Sequence, residues 1–169
     1  MAWPRSRRIK RTGPGRYAVQ LSADEQRLVG DLTGQLRALL VDGTDDPSVR
    51  RLFPTAYHDD PERDREYQQL ARDELLTRRL AALDLMAASV DLRELDAAGL
   101  SAWMGAVNDL RLVIGTNLDV SEDDGPIAPD DPDAPARAVY GYLTGLLDDI
   151  VSALADGLGD EPSGADSPI

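Results

Sequence analysis

Residues 100–118 read Leu-Ser-Ala-Trp-Met-Gly-Ala-Val-Asn-Asp-Leu-Arg-Leu-Val-Ile-Gly-Thr-Asn-Leu. Within them Leu100, Trp103, Met104, Val107, Leu110, Ile114 and Leu118 recur at the three-and-four spacing of one helical face. Asp96, just upstream, is placed to cap that helix. A stretch this long and this periodic is a helix packed along its length, and similar patterns flank it on both sides.

Upstream, Ser22 and Glu25 have the spacing of a capping box, which predicts a helix from there to about Val41. Leu28, Val29, Leu32, Leu36, Leu39 and Leu40 form its apolar stripe, and Asp42-Gly43 ends it. A short helical turn is expected near Pro47–Leu52. Asp60-Pro61 then opens a long helix to about Ser89, since Asp caps well and Pro suits the first helical position. Its second half, Leu80 to Val90, is apolar nearly all round apart from Asp84, which predicts that this helix is the central one. A last helix runs from about Pro135 to Leu158, with Val139, Leu143, Leu146, Leu147, Ile150 and Leu154 inward. At the N-terminal end, Tyr17, Val19 and Leu21 alternate with polar or small residues after Thr12-Gly13-Pro14-Gly15, which reads as a β-hairpin over residues 8–21. Leucine (24) outnumbers isoleucine plus valine (15), as befits helices more than sheets. The fold class is therefore all-α: a helical bundle of about four main helices with a small N-terminal β-hairpin. The expected organisation is a basic arm and hairpin over 1–21, a bundle over 22–158 and a disordered acidic tail over 159–169.

Composition narrows the chemistry. The 169 residues include no cysteine and one histidine, His58. That removes thiolate nucleophiles, disulfides and Cys- or His-rich metal sites, and no catalytic, cofactor or metal site is expected. His58 lies among acids in a helix-entry loop where Asp60 serves as a cap, so a solvated side chain is its reading. Asp119, Ser121, Asp123 and Asp130 have part of the spacing of a calcium loop. Gly125, however, falls one place late, and position 12 lacks the bidentate Glu. The net charge of −13 argues against nucleic acid and anionic membranes as partners of the whole. No run reaches the ~18 uninterrupted apolar residues of a membrane span, and the basic N-terminus lacks the apolar segment of a signal peptide. The expected location is the cytoplasm.

The charge is divided unevenly. Arg5, Arg7, Arg8, Lys10, Arg11 and Arg16 give residues 1–16 a charge of +6, whereas residues 119–169 carry 13 acids against Arg137 alone. Such asymmetry predicts either an interaction arm, with Trp3 and Tyr17 as candidate stacking groups, or a contact between the two ends of the chain; the second is preferred. Gly30 with Gly34 and Gly141 with Gly145 lie opposite the apolar stripes of their helices. They are candidate flat surfaces for a partner helix or a second copy of the chain. Arg111 falls within the apolar sector of its helix and needs an anion, for which Asp84 is the candidate partner in a buried structural pair. An enzyme using an anion site near Arg111 is the alternative of a different class.

Leu52-Phe53-Pro54, Ala56-Tyr57 with Asp60-Pro61, Trp103, and above all Asn108-Asp109-Leu110-Arg111-Leu112 with Gly115-Thr116 carry a resemblance. Over roughly residues 8–155 the chain resembles the actinobacterial domain-of-unknown-function family that includes the AosR-type oxidative-stress regulators. The resemblance implies a cytosolic, non-enzymatic helical regulator that binds a protein partner such as a sigma factor in stress response. Members often encoded beside the ClpS adaptor suggest an adaptor-like role in regulated proteolysis as the alternative. In the AosR type a cysteine pair senses oxidation. This chain has no cysteine, so that switch does not operate here. Met86 and Met104 are poor substitutes, since both read as core residues.

Overall fold

A computed structural model describes residues 6–43, 46–53, 59–118 and 130–159. The helix starts follow from local chemistry. Ser22 Oγ accepts from Glu25 N at 3.2 Å, and the Glu25 carboxylate accepts from Ser22 N at 2.8 Å. This capping box opens α1, Ala23–Asp42, which Gly43 ends by donating its N–H to Leu39. Asp46 accepts from both Ser48 N and Ser48 Oγ to start a single 3-10 helix, Pro47–Leu52. Asp60 accepts from Arg63 N at 3.1 Å ahead of α2, Pro61–Ser89, with Pro61 at the first position. Asp96 accepts from Gly99 N at 2.7 Å ahead of α3, Ala97–Leu118. The last helix, α4, spans Ala134–Leu158.

The N-terminal ribbon forms as expected, with β1 at Ile9–Gly13 and β2 at Arg16–Val19, antiparallel around a turn where Gly15 takes a φ of 63°. A left-handed φ of this kind favours glycine. A third strand, β3 at Glu94–Asp96, extends the ribbon and was not foreseen. It pairs antiparallel with β2, opposing Tyr17 to Leu95, and Arg93 O accepts from Val19 N at 2.8 Å. The ribbon shares the core of the bundle, since Ile9, Tyr17, Val19 and Leu95 are all buried with the helix residues. Marginal on its own, a two-stranded ribbon gains its stability from that packing.

The central helix is α3, not α2. It packs against α1, α2, α4, the 3-10 helix and two strands, and buries Leu100, Trp103, Ala106, Val107, Leu110 and Val113 around more than one face. In α2 the segment Leu80 to Val90 buries only Leu83, Met86 and Ser89, while Leu85 is 39% exposed. The alanines at 81, 82, 87 and 88 make that segment apolar in composition without supplying bulk that must be buried. Met104, expected in the core, is instead 37% exposed, whereas Met86 is fully buried as expected.

Among the described residues one helix, α4, reaches the length and mean hydropathy (1.2) of a membrane span. Its pattern is nevertheless that of an amphipathic bundle helix: Leu143, Leu146, Ile150 and Ala153 form the buried side, and Asp148 and Asp149 sit in mid-helix. Charge at a bilayer centre costs about 2.5–3.5 kcal/mol per residue, so two adjacent carboxylates oppose spanning.

Candidate functional site

The basic ribbon spends most of its described charge on the protein itself. Arg7 Nη1 lies 3.3 Å from Asp156 Oδ2 near the end of α4. Arg8 donates from Nε to Glu25, donates its backbone N–H to Asp149 at 3.0 Å, and stacks over the Tyr142 ring at 4.8 Å. Arg16 pairs across the sheet with Glu94 at 3.1 Å. Arg11 lies beside Gly157, Lys10 is exposed, and Arg5 falls outside the described residues. The basic ribbon thus meets the acidic last helix, in line with the contact the charge asymmetry suggested. Tyr17 is buried at 3% exposure, so it is no stacking platform for a ligand. Trp3, His58 and Asp119, Ser121 and Asp123 lie outside the described residues; among those described, no group of three His, Cys, Asp or Glu is arranged to hold a metal.

Electrostatics at the ribbon are consistent with a fixed contact. Partial burial raises the Glu25 carboxyl, but the Ser22 N–H and the Arg8 guanidinium outweigh it and hold the group below its ordinary value. The Tyr142 phenol is pushed upward, first by burial and then by the Glu25 charge.

The expected Arg111–Asp84 pair does not form. Asp84 stands on the outer side of α2, 54% exposed, and accepts from Arg37 of α1 at 2.6 Å. Arg111 points toward α4 instead, its guanidinium 5.7 Å from the centre of the Tyr140 ring. Arg111 is half-buried, but α3 is surrounded, so this flank of it faces α4 and not α2. A buried ion pair instead joins Arg79 of α2 to Asp109 of α3. Arg79 also donates to Leu52 O at 3.0 Å and lies over Phe53, as does Arg72 at 4.8 Å. One arginine therefore ties three elements together. In the run Asn108-Asp109-Leu110-Arg111-Leu112 the acid serves α2 and the base serves α4. Burial raises the Asp109 carboxyl, and Arg79 draws it only partly back.

Two open apolar features remain. Leu32, Leu36 and Leu39 of α1 face Leu110, Val113 and Ile114 of α3 across a groove of about 290 Å3, with Gln35 and Asn117 as its polar edge. A smaller groove, about 180 Å3, runs between α2 and α3 over Leu75, Ala82 and Gly105 toward the Arg79–Asp109 pair. The glycine faces are open too: a Cβ at Gly30, Gly34 or Gly141 would meet nothing within 4 Å. Gly145 is half-buried. Gly30 and Gly34 lie on the side of α1 away from the groove, so the structure does not gather glycines, ribbon and groove into one site.

The mostly helical fold with its N-terminal ribbon defines a small helical bundle domain. The chain belongs to the family described as Domain of unknown function (DUF2017), which it matches over residues 6–154. No curated protein and no solved structure matches it.

Sequence reasoning missed Arg79, Arg51 and Tyr140. Arg79 looked like one of many charges on a polar half-helix, and only the three-dimensional meeting of α2, α3 and the 3-10 helix singles it out. Gly115 was the available signal for Tyr140, because a buried glycine in mid-helix marks a close approach.

Proposed function

We propose that this protein is a non-enzymatic cytoplasmic regulator that works by binding another protein through the groove between α1 and α3. The observation that carries the reading is the groove itself: six aliphatic side chains from two helices, open to solvent, with polar residues only at its edge. Exposed clefts of this character are fitted to the apolar face of an amphipathic partner helix. The ribbon drops out as the main contact surface because Arg7, Arg8 and Arg16 already have acidic partners within the chain.

The resemblance to AosR-type actinobacterial regulators supplies the partner class: a sigma factor or another transcription component, engaged in stress response without a thiol switch. An adaptor role in Clp-type proteolysis would use the same groove with a different partner. A photo-crosslinking residue at Gln35 or Asn117, in cells of the native host, tests the reading directly. Capture of a transcription component at these positions, and not at Glu66 on α2, is the expected result. Capture of a proteolysis component selects the adaptor role instead. If the groove positions crosslink no more protein than Glu66 does, the binding reading fails.

A further inference from the structure

Gly115 of α3 is the meeting point of three elements. A Cβ there would lie 3.0 Å from Tyr140 Cε2 of α4 and 3.8 Å from Arg51 Nη1 of the 3-10 helix. Arg111, one helical turn before Gly115, holds its guanidinium 5.7 Å from the Tyr140 ring centre. The Arg111 guanidinium therefore faces the Tyr140 ring while Arg51 Nη1 approaches the same glycine, and the missing side chain at Gly115 is what lets the ring come so close.

Neither arginine has an acidic partner among the described residues. By contrast, Arg7, Arg8, Arg16, Arg37 and Arg79 each pair with a carboxylate. Asp131, just ahead of α4, is taken by Arg137 at 3.0 Å. Moreover, Arg111 Nε is shut off from solvent and has no acceptor. A buried donor of this kind, beside a second like charge, is costly unless an acceptor arrives.

We propose that Arg51, Arg111 and Tyr140 form a binding site for a phosphate dianion, free or as a small phosphate ester. The charge argument favours a dianion, since two guanidiniums exceed what one carboxylate neutralises. Guanidinium chemistry favours it as well: planar donor forks match tetrahedral phosphate oxygens, and Arg111 Nε–H lacks an acceptor. Arg51 is exposed and Arg111 half-buried, so the ligand approaches from the Arg51 side.

The test uses the full chain, labelled with 15N, and follows the arginine Nε–H resonances by NMR. Inorganic phosphate, glycerol phosphate and acetate are each titrated at constant ionic strength. A saturable shift of the Arg111 Nε–H signal with inorganic phosphate or glycerol phosphate is expected, and the tighter of the two names the source. Acetate should bind about tenfold more weakly, and R51Q should weaken phosphate binding about tenfold. Arg51 is exposed, so R51Q leaves folding intact even where R111Q does not. Absence of a saturable shift overturns the proposal, as does phosphate binding that R51Q leaves unchanged. Equal affinity for acetate overturns the dianion assignment.

Discussion

Arg79 and Asp109 link α2 to α3 through a carboxylate that retains only 5% of its side-chain exposure, while the guanidinium retains 23%. The same guanidinium reaches Leu52 O, so the pair also anchors the end of the 3-10 helix. Buried pairs are costly to form and more costly to halve, because removing one partner strands the other charge out of water. R79M and D109L alone should each destabilise the protein by about 3–5 kcal/mol, whereas the double variant R79M/D109L should recover most of that loss. Urea unfolding of the four proteins in a double-mutant cycle measures it, and additive losses would show that the two residues act separately.

The pH dependence of folding should carry two opposite signatures. Glu25 titrates below its ordinary 4.5 in the folded protein, so its contribution is present above that pH and disappears as pH falls through the folded value. E25Q should therefore narrow its stability deficit against the parent protein as the solution is acidified below about pH 4.5. Asp109 titrates above its ordinary 3.8, so the unfolded chain releases its proton first. Its contribution is full below about pH 3.8 and declines as pH rises through the folded value. In R79M/D109L that decline should vanish. Parallel stability curves for the parent and both variants would contradict the assigned roles.

The helix limits were legible because their causes are local. Ser22 with Glu25, Asp60-Pro61 and Asp96 satisfy the first N–H groups of their helices from within a few residues. β3 was not legible, since three residues with one buried side chain leave no alternation to read. Nor was the choice of central helix, because alanine counts as apolar in a pattern while demanding little burial in a fold. The partners of Asp84 and Arg111 failed for a related reason: phase tells which way a side chain points along its own helix, not which neighbour stands there. The charge asymmetry did carry through, because opposite charge at two chain ends remains favourable in any arrangement that brings them together.

Arg8 should matter far more than Arg7, although both belong to the basic ribbon. Arg7 and Asp156 are each more than half exposed, a setting in which an ion pair contributes little. Arg8 is 17% exposed, hydrogen-bonded to Glu25, close to Asp149 and stacked on Tyr142. R8A should cost about 2 kcal/mol and R7A less than about 0.5 kcal/mol by chemical denaturation. Raising the salt concentration should erase the R7A effect first, since exposed charges are screened more strongly. Equal effects would mean that the ribbon is held by net charge alone.

The glycines divide by what surrounds them, and alanine substitution separates the groups. At Gly30, Gly34 and Gly141 a methyl group meets open space, so G30A, G34A and G141A should each stabilise the fold by up to ~1 kcal/mol through helix propensity. At Gly157 a Cβ would stand 2.7 Å from the hydroxyl of buried Tyr17, and at Gly115 it would stand 3.0 Å from the Tyr140 ring. Aromatic rings held by packing yield poorly, so G157A and G115A should destabilise by about 1–3 kcal/mol. Thermal unfolding decides the sign at each position, and sedimentation alongside it decides the meaning of the open faces. If G30A, G34A and G141A stabilise the protein and leave its assembly unchanged, those faces are free surface. If any of them changes the oligomeric state, that face is a contact between copies of the chain.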